Sequence, residues 1–218
     1  MIVTVTMNPA VDKTIQISQM EVGGLNRITA VEQDAGGKGI NVSKTIKALG
    51  GETIATGFLG GTSGKWIADQ LQELDIKTDF LFVDGQTRTN TKVAETGGRI
   101  TELNESGVVI PPEKLTALLE KLDTYATPDT LFVLSGSVPQ GVPKDIYATI
   151  TQRVRQKGGQ VLVDADGELF EKSLPAAPDM IKPNREELAA FLSLDAKTIT
   201  QQELVAMAKK FLDTGISQ

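Results

Sequence analysis

The chain contains no cysteine and no histidine. Without cysteine there is no disulfide, no thiolate nucleophile and no cysteine metal site. Without histidine, Ser-His-Asp and Cys-His catalysis, histidine zinc sites and imidazole general bases are excluded together. Any proton transfer therefore falls to carboxylates, lysine or water. No apolar run approaches the roughly 18 residues of a membrane helix, and the N-terminal Met1–Thr6 reads straight into a strand with no basic or signal-like segment. A cytoplasmic location with no membrane partner is expected. Positive charge is scarce: 22 lysines and arginines face 28 acids, a net charge of −6. That balance argues against a nucleic-acid surface and admits an anionic small molecule only where cations are locally concentrated.

What is present is most informative at Gly36-Gly37-Lys38-Gly39-Ile40-Asn41. The run stands before an apolar helical pattern (Val42, Ile46, Leu49). Glycine lets a backbone turn sharply and approach a ligand, and the helix that follows offers unpaired N–H groups at the positive end of its dipole. Anions bind at such places. Lys38 adds a full charge, and Asn41 lies on the same helical face with a donor and an acceptor. A glycine-rich turn into a surface helix fits the same run.

The 218 residues suffice for one large domain or two small ones. Short apolar, β-branched segments at Ile2–Thr6, Thr53–Phe58, Thr130–Leu134, Gln160–Val163 and Asp179–Lys182 read as buried strands. Helical patterns at Ile40–Leu49, Gly64–Leu74, Glu113–Leu122, Lys144–Gln156, Arg185–Leu192 and Gln201–Leu212 alternate with them. The alternation predicts βαβ units on a parallel sheet covered by helices. Two stretches break the rhythm: Thr14–Ser18 with Ile28–Gln33, and Phe80–Val83 with Thr89–Glu95 and Arg99–Leu103. They alternate polar and apolar residues, and Gly97-Gly98 is a hairpin signal. A small, half-exposed antiparallel sheet is expected there, as a lid, a dimerisation surface or both.

Polar clusters follow four of the strands: Met7–Asp12, Ser135–Pro139, Asp164–Gly167 and Lys182–Glu187. In a doubly wound sheet the ligand crevice lies outside the carboxyl ends of the strands. Each cluster also has a local explanation. Asn184 with Glu187 matches a capping box, and Asp164–Gly167 and Ser135–Pro139 match turn and loop chemistry. Their common edge favours a site. Gly60–Trp66 fails as a P-loop because Trp66 stands where Ser or Thr would hold magnesium, and no Gly-x-Gly-x-x-Gly follows the first strand.

Six motifs recur in this order in one family: Asn8-Pro9-Ala10-Val11-Asp12, Gly36 to Ser43, Gly57-Phe58-Leu59-Gly60, Thr87 to Lys92, Leu134 to Pro139 and Lys182 to Glu187. On them the chain resembles the ribokinase-like (PfkB) sugar kinases over its whole length. The resemblance implies a ribokinase-like three-layer α/β/α domain over residues 1–218, with a mostly parallel sheet and a small β lid at about 13–34 and 78–104. It implies transfer of ATP's γ-phosphoryl group, with Mg2+, to fructose 1-phosphate; tagatose 6-phosphate and a non-catalytic phosphosugar-binding role are the alternatives. Asp12 and Asn41 would bind sugar hydroxyls, with the Gly36 and Gly37 backbone against the sugar and Ser137 lining its pocket. Lys38, Arg27 and Arg88 would take the substrate phosphate, with Asn90 and Lys92 beside them. Lys182, Asn184 and Glu187 would stand near the nucleotide phosphates and Mg2+, Glu187 acting through water. The lid would also clasp a homodimer. Asp166 departs from the family, which has a hydroxyl there. The larger departure is that the family's Gly-Ala-Gly-Asp, which carries the catalytic base and an anion hole, does not occur before Gln218. The C-terminal part of the fold is therefore expected to be missing and the chain inactive.

Overall fold

The computed structural model describes residues 1–192, 194–209, 211–212 and 215–218. The main sheet is parallel throughout. Its strands are β1 (Ile2–Thr6), β4 (Thr53–Gly60), β5 (Lys77–Thr78), β6 (Leu81–Val83), β9 (Leu131–Ser135), β10 (Gln160–Asp164) and β11 (Met180–Ile181). They run in the order β11-β10-β9-β1-β4-β5, with β6 also paired to β4. Lys38–Ala48 forms α1 and Gly61–Glu73 forms α2, which pack on β1 and β4. The opposite face carries α3 (Pro112–Tyr125) and α4 (Ile146–Gln156), beside α5 (Gly167–Ser173), α6 (Arg185–Phe191) and α7 (Gln201–Lys209).

The alternation of side chains along β1 shows how the layers are chosen. Val3 and Val5 join Phe132, Leu134, Val161 and Tyr147 in the core beneath α3 and α4. Thr4 faces the other way, and its hydroxyl lies 2.7 Å from that of Ser43 on α1. Thr53 donates to the same Ser43 oxygen at 2.9 Å, so three buried hydroxyls satisfy one another. A second apolar cluster, with Ile40, Leu59, Ile67 and Leu71, seals α1 and α2 to the sheet.

The small sheet has the order β3-β2-β7-β8, from β2 (Ala10–Ile17), β3 (Ala30–Gly36), β7 (Arg88–Glu95) and β8 (Ile100–Asn104). It corrects the antiparallel expectation. Only its outer pairs are antiparallel; the central pair β2–β7 is parallel, in register from Ala10↔Arg88 to Ile17↔Glu95. The α1–β4–α2 crossover lies between those two strands and returns the chain in the same direction. The Gly97-Gly98 signal holds: Gly98, at φ 84°, donates to Glu95 O in the β7–β8 hairpin. Phe80–Val83 is a second correction, because β6 pairs with Phe58–Gly60 of the main sheet. Its alternation suits either sheet, and only its pairing with β4 places it.

Helix α5 follows Asp164–Gly167, the stretch read as a turn, and was not expected; seven residues give too little period to detect from sequence. The helix expected over Gln201–Leu212 is described to Lys209, and Lys210, Asp213 and Thr214 lie outside the described residues. Beyond them Gln218 O accepts from Ile181 N at 3.0 Å, so the last residues run beside β11. The three-layer α/β/α architecture with a mostly parallel sheet and a small second sheet, as the resemblance implies, is therefore present among the described residues.

Candidate active site

Strand β1 ends at Thr6, β9 at Ser135 and β10 at Asp164, all at the edge where α1 begins. The small sheet stands over this edge because β2 leaves it at Ala10 and β3 returns to it at Gly36. Between them lies a cavity of about 460 Å³. Its main-sheet wall is Thr6, Asn8, Gly37, Lys38, Asn41, Ser135, Gly136, Ser137 and Asp166; its lid wall is Asp12, Arg88, Asn90, Lys92, Glu102 and Asn104.

Two glycines make the junction. At Gly37 φ is 114°, a left-handed value, and a Cβ there would lie 2.7 Å from Thr6 Cγ2. At Gly36 a Cβ would lie 2.2 Å from Asp12 Oδ2, so the missing side chain is what seats the Asp12 carboxylate. Asn90, opposite Asp12 across β2–β7, donates to Asp12 Oδ1 at 3.1 Å. On the next pair of strands Asn104 faces Asn90 and Glu102 faces Lys92, with 3.7 Å between Lys92 Nζ and Glu102 Oε1.

Arg88 is fixed by backbone. It donates to Asn8 O at 3.1 Å and Glu105 O at 3.0 Å, while Glu105 accepts from Thr89 N at 2.9 Å. Burial lowers the guanidinium pKa from its ordinary value, against Asp12 and Glu105, which raise it. Arginine keeps its proton regardless, so this is a partly desolvated, preoriented cation. Asn8 also donates to Ser106 O at 3.1 Å and Ser137 Oγ at 3.4 Å, tying the lid's exit to the loop after β9. Tyr147 holds that loop from beneath by donating to Gly136 O at 3.0 Å. Burial, then Asp164 and Asp166, push its pKa up, which keeps the hydroxyl a donor.

Lys38 faces away from these lid contacts. Its Nζ lies 3.4 Å from Asp164 Oδ1 and 3.7 Å from Glu187 Oε1, and Lys182 Nζ lies 3.2 Å from the same Asp164 oxygen. Asn184 and Glu187 form the capping box of α6: Glu187 N donates to Asn184 Oδ1 at 2.7 Å, and Asn184 N to Glu187 Oε2 at 2.8 Å. The structural explanation for that pair is thus realised, with Glu187 Oε1 left toward Lys38. Among the described residues no group of three or more carboxylates is gathered to hold a metal ion directly.

Eight of the sequence candidates line the cavity: Asp12, Gly37, Lys38, Asn41, Arg88, Asn90, Lys92 and Ser137. Gly36 lies beneath Asp12; Lys182, Asn184 and Glu187 adjoin through the Lys38–Asp164 pair. Arg27 does not join them, being exposed on the β2–β3 connection. Thr6, Glu102 and Asn104 fall outside every cluster and motif singled out in the sequence, whereas Asn8, Ser135, Gly136 and Asp166 lie in its polar clusters with no role given to them. For Glu102 and Asn104 a signal existed, since a two-residue period beside Asn90 and Lys92 puts all four on one face.

Among the described residues, four buried side-chain polar atoms have no hydrogen-bond partner: Thr6 Oγ1, Arg88 Nε, Asn90 Oδ1 and Ser135 Oγ. All four residues line this cavity. A buried polar atom left unpaired costs about 1–3 kcal/mol, so their gathering around one space matches a polar ligand that supplies the partners. Family comparison agrees. The profile of the pfkB family carbohydrate kinases matches residues 5–218.

The chain belongs to the PfkB family of carbohydrate kinases. It is 37% identical over 215 residues to the 1-phosphofructokinase of Bacillus subtilis, covering 99% of this chain and 69% of that protein. With the 1-phosphofructokinase of Vibrio cholerae it shares 32% identity over 214 residues, covering 97% of this chain and 68% of the relative. A crystal structure of phosphofructokinase-2 from Escherichia coli in complex with substrates and products superposes with a TM-score of 0.91 at 25% identity, over 98% of this chain and 69% of that one. The fold is the ribokinase-like α/β fold, and the family and relatives indicate a sugar-phosphate kinase. No helix among the described residues is long and apolar enough to cross a membrane.

Proposed function

We propose that the cavity is the acceptor site for fructose 1-phosphate, the substrate that receives ATP's γ-phosphoryl group to become fructose 1,6-bisphosphate in the cytoplasm. The observation that carries this reading is the convergence of four unpartnered buried polar atoms on a cavity with Arg88 and Lys92 in one wall. Asp12, oriented by Asn90, and Asn41 take sugar hydroxyls, with the Gly36–Gly37 backbone against the ring and Ser137, bonded to Asn8, at its side. Arg88 and Lys92 take the substrate's phosphate; arginine's fixed fork and lysine's point charge both suit it.

ATP with Mg2+ supplies the transferable phosphoryl group and part of its charge neutralisation. Lys182 and Asn184 stand at the nucleotide side, and Glu187, with one oxygen committed to the helix cap, would act on the metal through water. The family's Gly-Ala-Gly-Asp is not among these 218 residues. They therefore bind phosphosugar while transferring phosphate at rates orders of magnitude below a complete site. The lid's exposed Val31, Ile100 and Leu103 suit pairing with a second copy, and such a dimer is what would bring Arg27 to a phosphate.

Calorimetric titration of the chain tests the reading with fructose 1-phosphate, tagatose 6-phosphate and fructose. Fructose 1-phosphate is expected to bind at least about tenfold tighter than fructose, the value of one charge-assisted contact. Tighter binding of tagatose 6-phosphate would move the substrate to that sugar. Equal affinity for fructose and its phosphate would defeat the reading, and a full-rate ADP-release assay would defeat its catalytic half.

A further inference from the structure

The lid wall of the cavity carries a charged pair whose hydrogen-bonding capacity is unspent. Lys92 of β7 and Glu102 of β8 face each other across the antiparallel register, two residues along from Asn90 and Asn104. Lys92 Nζ and Glu102 Oε1 lie 3.7 Å apart, close enough for their charges to act and too far for a hydrogen bond. The side chains are 47% and 52% exposed, so water screens the pair and it adds little to the stability of the lid. A pair that contributes little to folding and lines a cavity invites a reading in terms of the ligand.

The neighbouring carboxylates are already committed. Asp12 accepts from Asn90 Nδ2, and Glu105 accepts from Thr89 N. Glu102 and Asn104 line the cavity and make no side-chain hydrogen bond among the described residues. Asn90 Oδ1, in the same cross-strand row as Asn104, is buried and has no partner. Strand β8 thus brings the cavity a set of unused acceptors. An ionised carboxylate accepts hydrogen bonds and donates none. What satisfies Glu102 must therefore carry donors, which sugar hydroxyls do and a fully ionised phosphate does not.

We propose that Glu102 is a specificity-determining residue, which accepts hydroxyls of the sugar beside the phosphate on Lys92 and turns away phosphate that arrives without them. The proposal rests on the cavity being the phosphosugar site. A bare anion approaching Lys92 meets a cation that Glu102 already compensates, and it is repelled by the carboxylate itself. A phosphosugar brings hydroxyls that bond Glu102 while its phosphate takes Lys92, so each member of the pair exchanges one partner for another. Asn104 serves the same hydroxyls without selecting on charge. Phosphate recognition by the lid is in this way made conditional on the polyol that carries it.

The test is calorimetric titration of the 218-residue chain with fructose 1-phosphate and with inorganic phosphate, for the unaltered protein, Glu102→Gln and Lys92→Met. Glu102→Gln should weaken fructose 1-phosphate by about tenfold, the value of one charge-assisted hydrogen bond, while inorganic phosphate binds as well or better. Lys92→Met should weaken both ligands. Equal weakening of the two by Glu102→Gln would show a merely structural role, and equal tightening would show simple charge repulsion; either result overturns the proposal. Glu102→Asp keeps the charge and shortens the reach, so it carries the test if Glu102→Gln misfolds. It should weaken fructose 1-phosphate and leave inorganic phosphate within about twofold, and unchanged affinity for the sugar phosphate would overturn the role given to Glu102. Failure of the unaltered chain to bind fructose 1-phosphate at all is a different result, and it overturns the functional reading beneath.

Discussion

At the amino end of the main sheet the hydroxyls of Thr4, Ser43 and Thr53 bond one another, and Lys47–Asp75 and Lys77–Glu52 pairs close the surface around them. At the carboxyl end the hydroxyls of Thr6 and Ser135 bond nothing, and Arg88 and Asn90 each keep an unpaired buried atom. Residue types are shared between the two ends; Thr4 and Thr6 are two positions apart on one strand. What differs is whether the fold itself satisfies them. Polar groups that folding satisfies hold the sheet to α1, and those it leaves unpaired mark where a ligand is expected to do so.

The comparison can be broken most forcefully at Arg88. Arg88→Met removes a preoriented cation, and fructose 1-phosphate affinity should fall by about 100-fold or more, the value of two charge-assisted hydrogen bonds. A change under about threefold would place the phosphate elsewhere.

At the satisfied end, Thr4→Val should lower unfolding free energy by about 1 kcal/mol in a denaturant titration, because Ser43 loses one of its two hydroxyl partners. Thr6→Val should leave stability unchanged or raise it, since the hydroxyl it removes has no partner. Equal destabilisation by the two substitutions would erase the distinction between the ends. Asn184→Ala tests a residue with two readings. Loss of the capping box should lower stability by about 1 kcal/mol without altering fructose 1-phosphate affinity; a drop in that affinity would place Asn184 on the acceptor side.

The smallest effect expected lies far from the site. Tyr125 donates to Asp79 Oδ2 at 2.6 Å, and burial, then Asp79, raise its pKa to about 12. A tyrosine whose folded pKa is raised contributes stability that is fully present below its unfolded value of 10.0 and is lost as pH rises through about 12. Tyr125→Phe should flatten the stability curve across that alkaline window. An equally steep curve would show that another group titrates there.

How much of this was legible in sequence follows the same division. Strands β1, β4, β9 and β10 carry their own apolar runs, so their existence and the parallel sheet were readable from pattern. Phe80–Val83 was not placeable, because its alternation is the same in either sheet and only its pairing with Phe58–Gly60 decides. The parallel β2–β7 pair depends on a long crossover that local patterns do not report. In the site, Gly36–Asn41 and Arg88–Lys92 were visible as unusual local chemistry. Ser135 stood in the polar cluster after β9 with no role attached, and Thr6 was not visible, since nothing in the letters separates an unpartnered threonine from Thr4. Arg27 was a phosphate candidate through the resemblance, and it stands exposed on the β2–β3 connection, away from the cavity.

The most direct measurement is amide chemical-shift mapping of the 23.3 kDa chain during titration with fructose 1-phosphate. The largest shifts are expected at the cavity, in Asn8, Gly37, Lys38, Arg88 and Asn90, with the amides of Glu52, Asp75 and Lys77 at the opposite end unmoved. Shifts centred on that opposite end, or none at saturating phosphosugar, would contradict the claim that the unpaired polar end of the sheet is where the ligand binds.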